Sequence, residues 1–214
     1  MSARDNILAR IRSANAARGL GDKAATVKSR LAKHPRGPMP KMKWDPLQRF
    51  KECSIAAAST IDEVSTRKAV PKAVARYLEE NNLPKTGVCW PDLGDLDWKG
   101  VGLEMQSRAA TGDDKVGVTG SYCALAETGT LVLLSGESWH ATTSLLPETH
   151  IAVVSTSRIV IAMEDVWELL RAETDELPRQ VNFVSGPSRT ADIEMTLVYG
   201  AHGPFRVHIV LVDE

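Results

Sequence analysis

The body of this chain alternates short apolar segments with amphipathic helical segments, and this alternation restricts the folds available to it. Ser65–Asn82 has apolar residues at helical spacing, and Pro71 suits the first turn of that helix. Thr86–Trp90 and Leu131–Ser135 are short apolar segments typical of buried strands. Strands separated by helices indicate βαβ units, so we predict an α/β fold with an open, mostly parallel sheet. The residues predicted to face the core from the helix are Val70, Val74, Tyr77 and Leu78.

The same patterns predict the remaining elements of the body. Asp45–Cys53 is expected to be a helix, followed by a short strand over Ser54–Thr60. Ile151–Val154 is predicted to be a buried strand, and Glu164–Glu173 a helix. A last strand is expected around Val207–Leu211, where apolar residues alternate.

At 214 residues, the chain is long enough to bury one hydrophobic core. Its apolar runs fall short of the roughly 20 residues that cross a bilayer, and no signal-peptide core follows Met1. We therefore expect a soluble, cytoplasmic protein without a membrane span.

The charge of the chain is divided between a basic N-terminal part and an acidic body. Residues 1–51 carry thirteen Lys and Arg against three Asp, a net charge of +10, and the remaining residues carry −11. Helices are predicted near Arg4–Arg18 and Ala24–Lys33, before a proline-rich extended passage. The basic residues are not interleaved with aromatic ones and the body has no excess of base, which argues against nucleic acid as a partner. An acidic partner or a neighbouring subunit fits this arm better.

The three cysteines of the chain, Cys53, Cys89 and Cys123, are far apart in sequence. No Cys-x-x-Cys pair occurs, so neither an iron–sulfur cluster nor a zinc ribbon is indicated. Scattered cysteines in odd number are typical of reduced thiols. No dinucleotide-binding glycine motif is present either, and we predict no cofactor in this chain.

The segment from Val181 to Pro204 has the pattern of a strand, a tight polar loop and a helix. Its apolar start suits a buried strand, which Gly186 and Pro187 must end. Ser188 or Thr190 is then the N-cap of the predicted helix. The first turn of that helix carries Asp192 and Glu194, and its buried face consists of Ile193, Leu197 and Val198.

The start of this predicted helix is a candidate anion-binding site. Free backbone N–H groups at a helix start favour an anion, and Arg189 adds a planar donor fork suited to a carboxylate or phosphate. His202 is a candidate base nearby. An ordinary capped turn with a solvated arginine uses the same residue types, and the sequence leaves both interpretations open. The candidate substrate-binding residues of this segment are Gly186, Ser188, Arg189, Thr190 and Asp192.

A second polar motif, Ala126–Thr130, is embedded in an otherwise apolar region. Burial of a carboxylate costs several kcal/mol unless it is paired, so Glu127 should have a partner or face a cleft. Glu127 is therefore the second candidate catalytic residue. A glutamate held by backbone amides at a strand kink is the structural alternative. Thr128, Gly129 and Thr130 are assigned to the same candidate substrate site.

The histidines do not form a recognisable metal-binding pattern. His140 and His150 lack the spacing of metal ligands, and we predict that they are solvent-facing or capping residues. His208 alternates with apolar neighbours and is interpreted as structural. A metal bound by Glu127, Asp192 and His202 is chemically reasonable, but no spacing rule requires it, and none is predicted.

Four motifs occur in order along the chain: Ala126-Glu127-Thr128-Gly129-Thr130, Leu146-Pro147-x-x-His150-Ile151, the run Ser-Gly-Pro-Ser-Arg-Thr-Ala-Asp-Ile-Glu over residues 185–194, and Gly200-x-His202-Gly203-Pro204. Together they resemble the LUD-domain family, from about residue 45 to the C-terminus. The run over residues 185–194 is long and specific, so a chance match is a poor explanation for it.

The resemblance implies an open α/β fold similar to the ribose-5-phosphate isomerase and CoA-transferase group. It also implies a role in oxidising L-lactate to pyruvate alongside two cysteine-rich iron–sulfur subunits. The clusters are expected in those partners, because this chain lacks cluster cysteines. The expected organisation is a helical basic arm over residues 1–43 and a LUD-type α/β domain over residues 44–214.

Three functions are compatible with these features. Oxidising a 2-hydroxy acid needs an electron acceptor that side chains do not supply, so we expect a non-redox subunit of a lactate-oxidising complex. In it, Arg189 would bind a small carboxylate or other anion, with His202 or Glu127 as the base. The first alternative is a stand-alone enzyme for a phosphorylated or CoA-like small molecule, with Glu127 as acid, base or nucleophile. The second is a pure interaction module.

Overall fold

The computed structural model describes residues 2–17, 23–193 and 196–214. The chain divides into two compact units, one ending at Lys41 and one running from Met42 to Glu214.

The N-terminal unit contains two helices, α1 Ala3–Ala17 and α2 Lys23–Lys33, as the sequence predicts. A capping box begins α1. The backbone N–H of Ser2 donates to Oδ2 of Asp5 over 2.9 Å, and the N–H of Asp5 donates to Oγ of Ser2 over 3.2 Å. The expected end of this helix at residues 18–19 lies outside the described residues. The exposed large apolar side chains in the described part of this unit are Ile7, Leu8, Ile11, Val27, Leu31 and Met39.

The larger unit combines helices with three groups of strands. Its α-helices are α3 Pro46–Ala56, α4 Val70–Glu80, α5 Thr142–Leu145 and α6 Met163–Glu173. Its strands are β1 Thr60–Val64, β2 Thr86–Cys89, β3 Glu104–Ser107, β4 Val116–Thr119, β5 Cys123–Leu125, β6 Thr130–Leu134, β7 Thr149–Ser155, β8 Ile159–Val160, β9 Val181–Val184, β10 Arg189–Ile193, β11 Thr196–Tyr199 and β12 Arg206–Val212. Across the described ranges, no helix has the length and apolar content needed to cross a membrane.

Six strands form one parallel sheet in the order β1-β12-β7-β4-β2-β3. The prediction of an α/β fold with an open, mostly parallel sheet is therefore confirmed. A second sheet has the order β8-β5-β6-β9, with β6 antiparallel to both β5 and β9. The strands β10 and β11 form a separate antiparallel hairpin.

The core lies on both faces of the parallel sheet. Ile151 and Val153 of β7 belong to an apolar cluster with Val70, Val74 and Leu78 of α4, which confirms the predicted inward face of that helix. The alternate residues of β7 belong to a second cluster. That cluster contains Ala152, Val154, Phe50 of α3, and Ala124 and Leu131 of the second sheet. Each large apolar side chain buried in this way contributes about 2 kcal/mol to folding.

The predicted strand over Ser54–Thr60 is wrong, because its first half continues α3. Asp45 is the N-cap of α3 and accepts a hydrogen bond from the backbone N–H of Gln48 over 2.8 Å. Phe50 and Ser54 lie four residues apart and are the buried residues of this helix. The alanines that follow are good helix formers, so the helix extends to Ala56.

The predicted helix after Ser188 is also wrong, because the segment forms the hairpin of β10 and β11. Arg189 pairs with Tyr199, and Thr190 pairs with Val198. β-Branched and aromatic residues are frequent in the segment and favour strands. Without a helix start here, the predicted row of free N–H groups for an anion does not exist.

Both sequence motifs are packed closely against the C-terminal end of α3. Gly129 has a φ of +65°, and a Cβ there would lie 2.6 Å from the carbonyl carbon of Cys53. The hydroxyl of Ser54 donates to the carbonyl of Gly129 over 3.2 Å. Gly186 has a φ of +73°, and a Cβ there would collide with the carbonyl oxygen of Ala57. Glycine is therefore required in both turns by conformation and by space.

His150 is fully buried at the start of β7, so the prediction of a solvent-facing or capping residue is wrong. Its Nε2 lies 2.8 Å from Oγ1 of Thr119, and its Nδ1 has no hydrogen-bond partner among the described residues. Burial lowers the pKa of His150 to about 4, so the imidazole is neutral in the folded protein at neutral pH.

Substitution of Gly129 by alanine is expected to lower the free energy of unfolding by about 3 kcal/mol, from the left-handed conformation and the collision with α3. Gly102 is the matched control, because its φ is +77° and a Cβ there meets no atom within 4 Å. Gly102→Ala should cost only about 1 kcal/mol. Urea unfolding measures both values, and equal losses would contradict the close packing at Gly129.

The stability of the folded chain is expected to fall between pH 7 and pH 5. The unfolded chain protonates His150 below about pH 6.5, whereas the folded chain does so only near pH 4, so acid favours unfolding. The contribution at pH 5 is about 2 kcal/mol. Urea titrations should show a smaller loss for His150→Gln and an unchanged loss for the exposed control His202→Gln. The same loss in all three proteins would refute the assignment to His150.

Candidate functional site

The two sequence motifs meet through a chain of hydroxyl groups. Oγ1 of Thr128 lies 2.6 Å from Oγ1 of Thr130, which in turn lies 2.6 Å from Oγ of Ser185. Thr130 is buried, whereas Thr128 and Ser185 are exposed. This contact follows from the pairing of β6 with β9, in which Leu131 lies opposite Val184.

Arg189 and Ser188 extend this region at the base of the hairpin. The exposed guanidinium of Arg189 donates a hydrogen bond to the carbonyl of Ala57. The hydroxyl of Ser188 accepts a hydrogen bond from the backbone N–H of His202 over 3.3 Å. We call Thr128, Thr130, Ser185, Ser188 and Arg189 the motif surface.

The other predicted site residues differ in their burial and contacts. Glu127 is half-buried, and its carboxylate has no hydrogen bond or ion pair with the described residues. Thr190 is buried in β10, and His202 is exposed. The side chain of Asp192 lies outside the described residues. A metal site formed by Glu127, Asp192 and His202 would therefore include a side chain that lies outside the described residues.

Within the described ranges, no group of three or more His, Cys, Asp or Glu side chains is arranged to bind a metal ion. The chemistry offered by the motif surface is therefore that of hydroxyl groups and one guanidinium. These groups are donors for an anion, and Thr128, Ser185 and Arg189 are open to solvent.

A partly enclosed cavity of about 160 Å³ lies elsewhere, at the carboxyl ends of the parallel strands. Trp90 and Asp92 follow β2, Gly120 follows β4, and Ser155 ends β7. Ligands of open α/β sheets commonly bind at this edge. We call it the carboxyl-edge cavity, and the residues that line it include Arg67, Trp90, Asp92, Tyr122, Trp139, Val153 and Glu214.

Arg67 and Asp92 are two charged residues that line the carboxyl-edge cavity. Arg67 donates a hydrogen bond to the backbone carbonyl of Asp92, and its guanidinium is 3.8 Å from Oδ1 of Asp95. Oδ2 of Asp92 lies 3.5 Å from the position that a Cβ of Gly120 would occupy, so this carboxylate is directed at the glycine. Partial burial raises the pKa of Asp92, and Arg67 opposes this shift.

Aromatic rings form the apolar wall of the cavity. The indole N–H of Trp90 donates to the carbonyl of His140 over 3.0 Å, which fixes the ring. The ring centroid of Trp139 lies 6.4 Å from that of Trp90.

Tyr122 contributes a neutral phenol to the same cavity. Its hydroxyl donates to Oε2 of Glu173 over 2.8 Å, and Arg158 lies over its ring. Burial, reinforced by Glu173, raises the pKa of Tyr122 to about 12. Arg158 and Glu173 form a paired salt bridge with contacts of 2.7 and 2.8 Å.

The sequence analysis missed the carboxyl-edge cavity, although a signal for it exists. Trp90 is the last residue of a predicted strand and Asp92 comes two residues later, while Gly120 directly follows the residues that form β4. Carboxyl ends of parallel strands share one edge of a sheet, so polar residues at those positions point to a common site. Arg67 and Trp139 have no comparable signal, because they come from a turn before α4 and from a loop.

Comparison with known proteins finds a matching domain family, relatives of similar sequence and a solved structure with the same fold. The model of the LUD domain matches residues 96–212. Lactate utilization protein C of Bacillus licheniformis is 40% identical over 131 residues, covering 58% of this chain and 54% of the relative. Lactate utilization protein C 1 of Bacillus mycoides is 38% identical over 148 residues, covering 65% and 63%. The chain thus matches only about half to three fifths of the length of these relatives.

A crystal structure of a DUF162 family protein from Deinococcus radiodurans has the same fold. It superimposes with a TM-score of 0.61 and 22% identity, covering 81% of this chain and 99% of the other. Since the domain model covers more than half of the sequence, the chain belongs to the LUD domain family.

Proposed function

We propose that this chain takes part in lactate utilisation as a component without a redox centre of its own. The observation that carries this proposal is the 36–44% identity to several relatives named lactate utilization protein C. The matched segments cover about half of each chain, so the role of the whole relative is transferred here as a proposal.

The cysteines support a non-redox role. Cys89 and Cys123 are both fully buried. Burial raises the pKa of Cys89 to about 11 and that of Cys123 to about 12, so both stay protonated at neutral pH. Thiolates are the form that binds metals and clusters. In this proposal, two cysteine-rich iron–sulfur subunits accept the electrons that lactate loses.

The motif surface is the proposed contact for a carboxylate on one of those partners. Arg189 uses one donor for Ala57, its guanidinium lies 5.8 Å from the ring centroid of Tyr199, and the side chain is otherwise exposed. A single exposed ionic contact is worth about 1 kcal/mol or less, which is too little to hold a free small anion. A partner subunit adds many surrounding contacts to the same ion pair, so a protein carboxylate fits this open surface better.

Deletion of the gene is expected to abolish growth on L-lactate as sole carbon source, while growth on glucose is unchanged. Affinity purification of the tagged chain from lactate-grown native cells should give brown material with iron–sulfur absorption in the visible spectrum. Mass spectrometry should find two cysteine-rich proteins in it. Normal growth of the deletion strain, or a colourless chain without such partners, would refute the proposal.

Replacement of Arg189 by glutamine should reduce the amount of co-purified partner roughly tenfold, since it removes a charged hydrogen-bond donor. The matched control is Arg171→Gln, which removes an equally exposed arginine from α6. The two purified complexes are compared by quantitative mass spectrometry. Equal recovery of the partners from both variants would contradict the assigned role of the motif surface.

A further inference from the structure

We infer that the carboxyl-edge cavity binds a small 2-hydroxy monocarboxylate, with the carboxylate of the ligand at Arg67 and its hydroxyl at Asp92. This inference rests on the proposed role in lactate utilisation and deepens it. It moves the small ligand away from the motif surface, where the sequence analysis expected it.

The cavity has the size and position for such a ligand. Its volume of about 160 Å³ holds several water molecules, and so accommodates a short-chain organic acid. It lies where β2, β4, β7 and β12 end, so its walls are attached to the four inner strands of the parallel sheet. Partial enclosure strengthens the hydrogen bonds of a bound ion relative to the same bonds in water.

Arg67 provides the positive charge. Its guanidinium uses one nitrogen for the carbonyl of Asp92, and the 3.8 Å approach to Asp95 is a weak contact. A guanidinium has five N–H donors in a fork that matches a carboxylate, so donors remain for the ligand. The side chain is 41% exposed, which leaves it within reach of an entering anion.

Asp92 provides the acceptor for a hydroxyl. Its carboxylate is directed at Gly120, which leaves open the space that a side chain at that position would fill. The raised pKa of Asp92 makes its carboxylate a stronger hydrogen-bond acceptor than an ordinary surface aspartate. A ligand that lacks the hydroxyl leaves this group without its partner, and specificity for hydroxy acids follows.

The alkyl part of the ligand meets apolar atoms. Trp90, Leu134, Val153 and Trp139 line the cavity. The indole of Trp90 is held by His140, so this surface is already formed before a ligand enters. Small-molecule sites commonly combine such walls with a few convergent polar groups.

Tryptophan fluorescence of the purified full-length chain tests the inference, since two of its five tryptophans line the cavity. Titration with L-lactate is expected to change the emission saturably. Acetate, which has no hydroxyl, should bind at least roughly tenfold more weakly. Equal affinity for lactate and acetate would overturn the role of Asp92.

Two variants and their controls locate the site. Arg67→Gln should weaken L-lactate binding roughly tenfold or more, while Arg171→Gln, which removes an exposed arginine outside the cavity, should leave it unchanged. Gly120→Leu should abolish binding, because the leucine side chain would fill the cavity. The fold should tolerate the substitution, since a Cβ at this position meets Asp92 and Trp90 only at 3.5 Å or beyond. The control is Gly112→Leu, where a Cβ meets nothing within 4 Å. Circular dichroism confirms that each variant is folded before titration.

The outcomes separate this inference from the proposed function. The cavity assignment is overturned if the wild-type chain binds no lactate, or if Arg67→Gln binds it as tightly as Arg171→Gln does. The role in lactate utilisation is tested independently of that result, by the growth of the deletion strain on lactate with and without the wild-type gene. Conversely, saturable binding in the cavity together with normal growth of the deletion strain refutes the role in lactate utilisation and retains the ligand site.

Discussion

Strand β7 pairs with β12 on one side and with β4 on the other, and the side chains on both of its faces are buried. Side chains of β7 with odd residue numbers therefore pack against the elements on one face of the sheet, and those with even numbers pack against the elements on the other. Helix α4 covers the first face through Ile151 and Val153, and the second sheet with α3 covers the other through Ala152 and Val154. A parallel sheet needs cover on both faces, and α4 on one side and α3 with the second sheet on the other supply it.

The same sheet separates the two candidate sites. The start of β12 lies near Pro187, which belongs to the motif run over residues 185–194. This is shown by a cavity that both Arg206 and Pro187 line. The end of β12, at Val212, lines the carboxyl-edge cavity instead. A strand of seven residues spans about 20 Å, so one part of the chain presents two surfaces at opposite ends. One surface is open and suited to a partner, while the other is partly enclosed and suited to a small molecule.

How much the sequence predicts depends on whether a signal is local. Helices α1, α2, α4 and α6 follow from spacing and capping residues, and so do most buried strands. The sequence predicts a helix where β10 and β11 pair, because Ile193, Leu197 and Val198 recur at helical spacing. The pairing depends on contacts between the two strands, which this spacing does not reveal. The contact of Thr130 with Ser185 depends on sheet register, which no single motif contains. Arg67 and Trp139 meet at the cavity only because the fold brings distant loops together.

The carboxyl-edge cavity is lined by residues from inside and from outside the part of the chain that matches the LUD domain. The match to the LUD domain begins at residue 96, so Gly120, Tyr122 and Trp139 belong to the matched part. Arg67 and Asp92, the two charged groups of the proposed ligand site, come before it. The matched part thus supplies space and part of the apolar surface, while the preceding segment supplies Trp90 and both charged groups of the proposed ligand site. Function resides in the site and not in the fold, and since Arg67 and Asp92 lie outside the strands, substitutions at these two positions are expected to alter the ligand without disturbing the sheet.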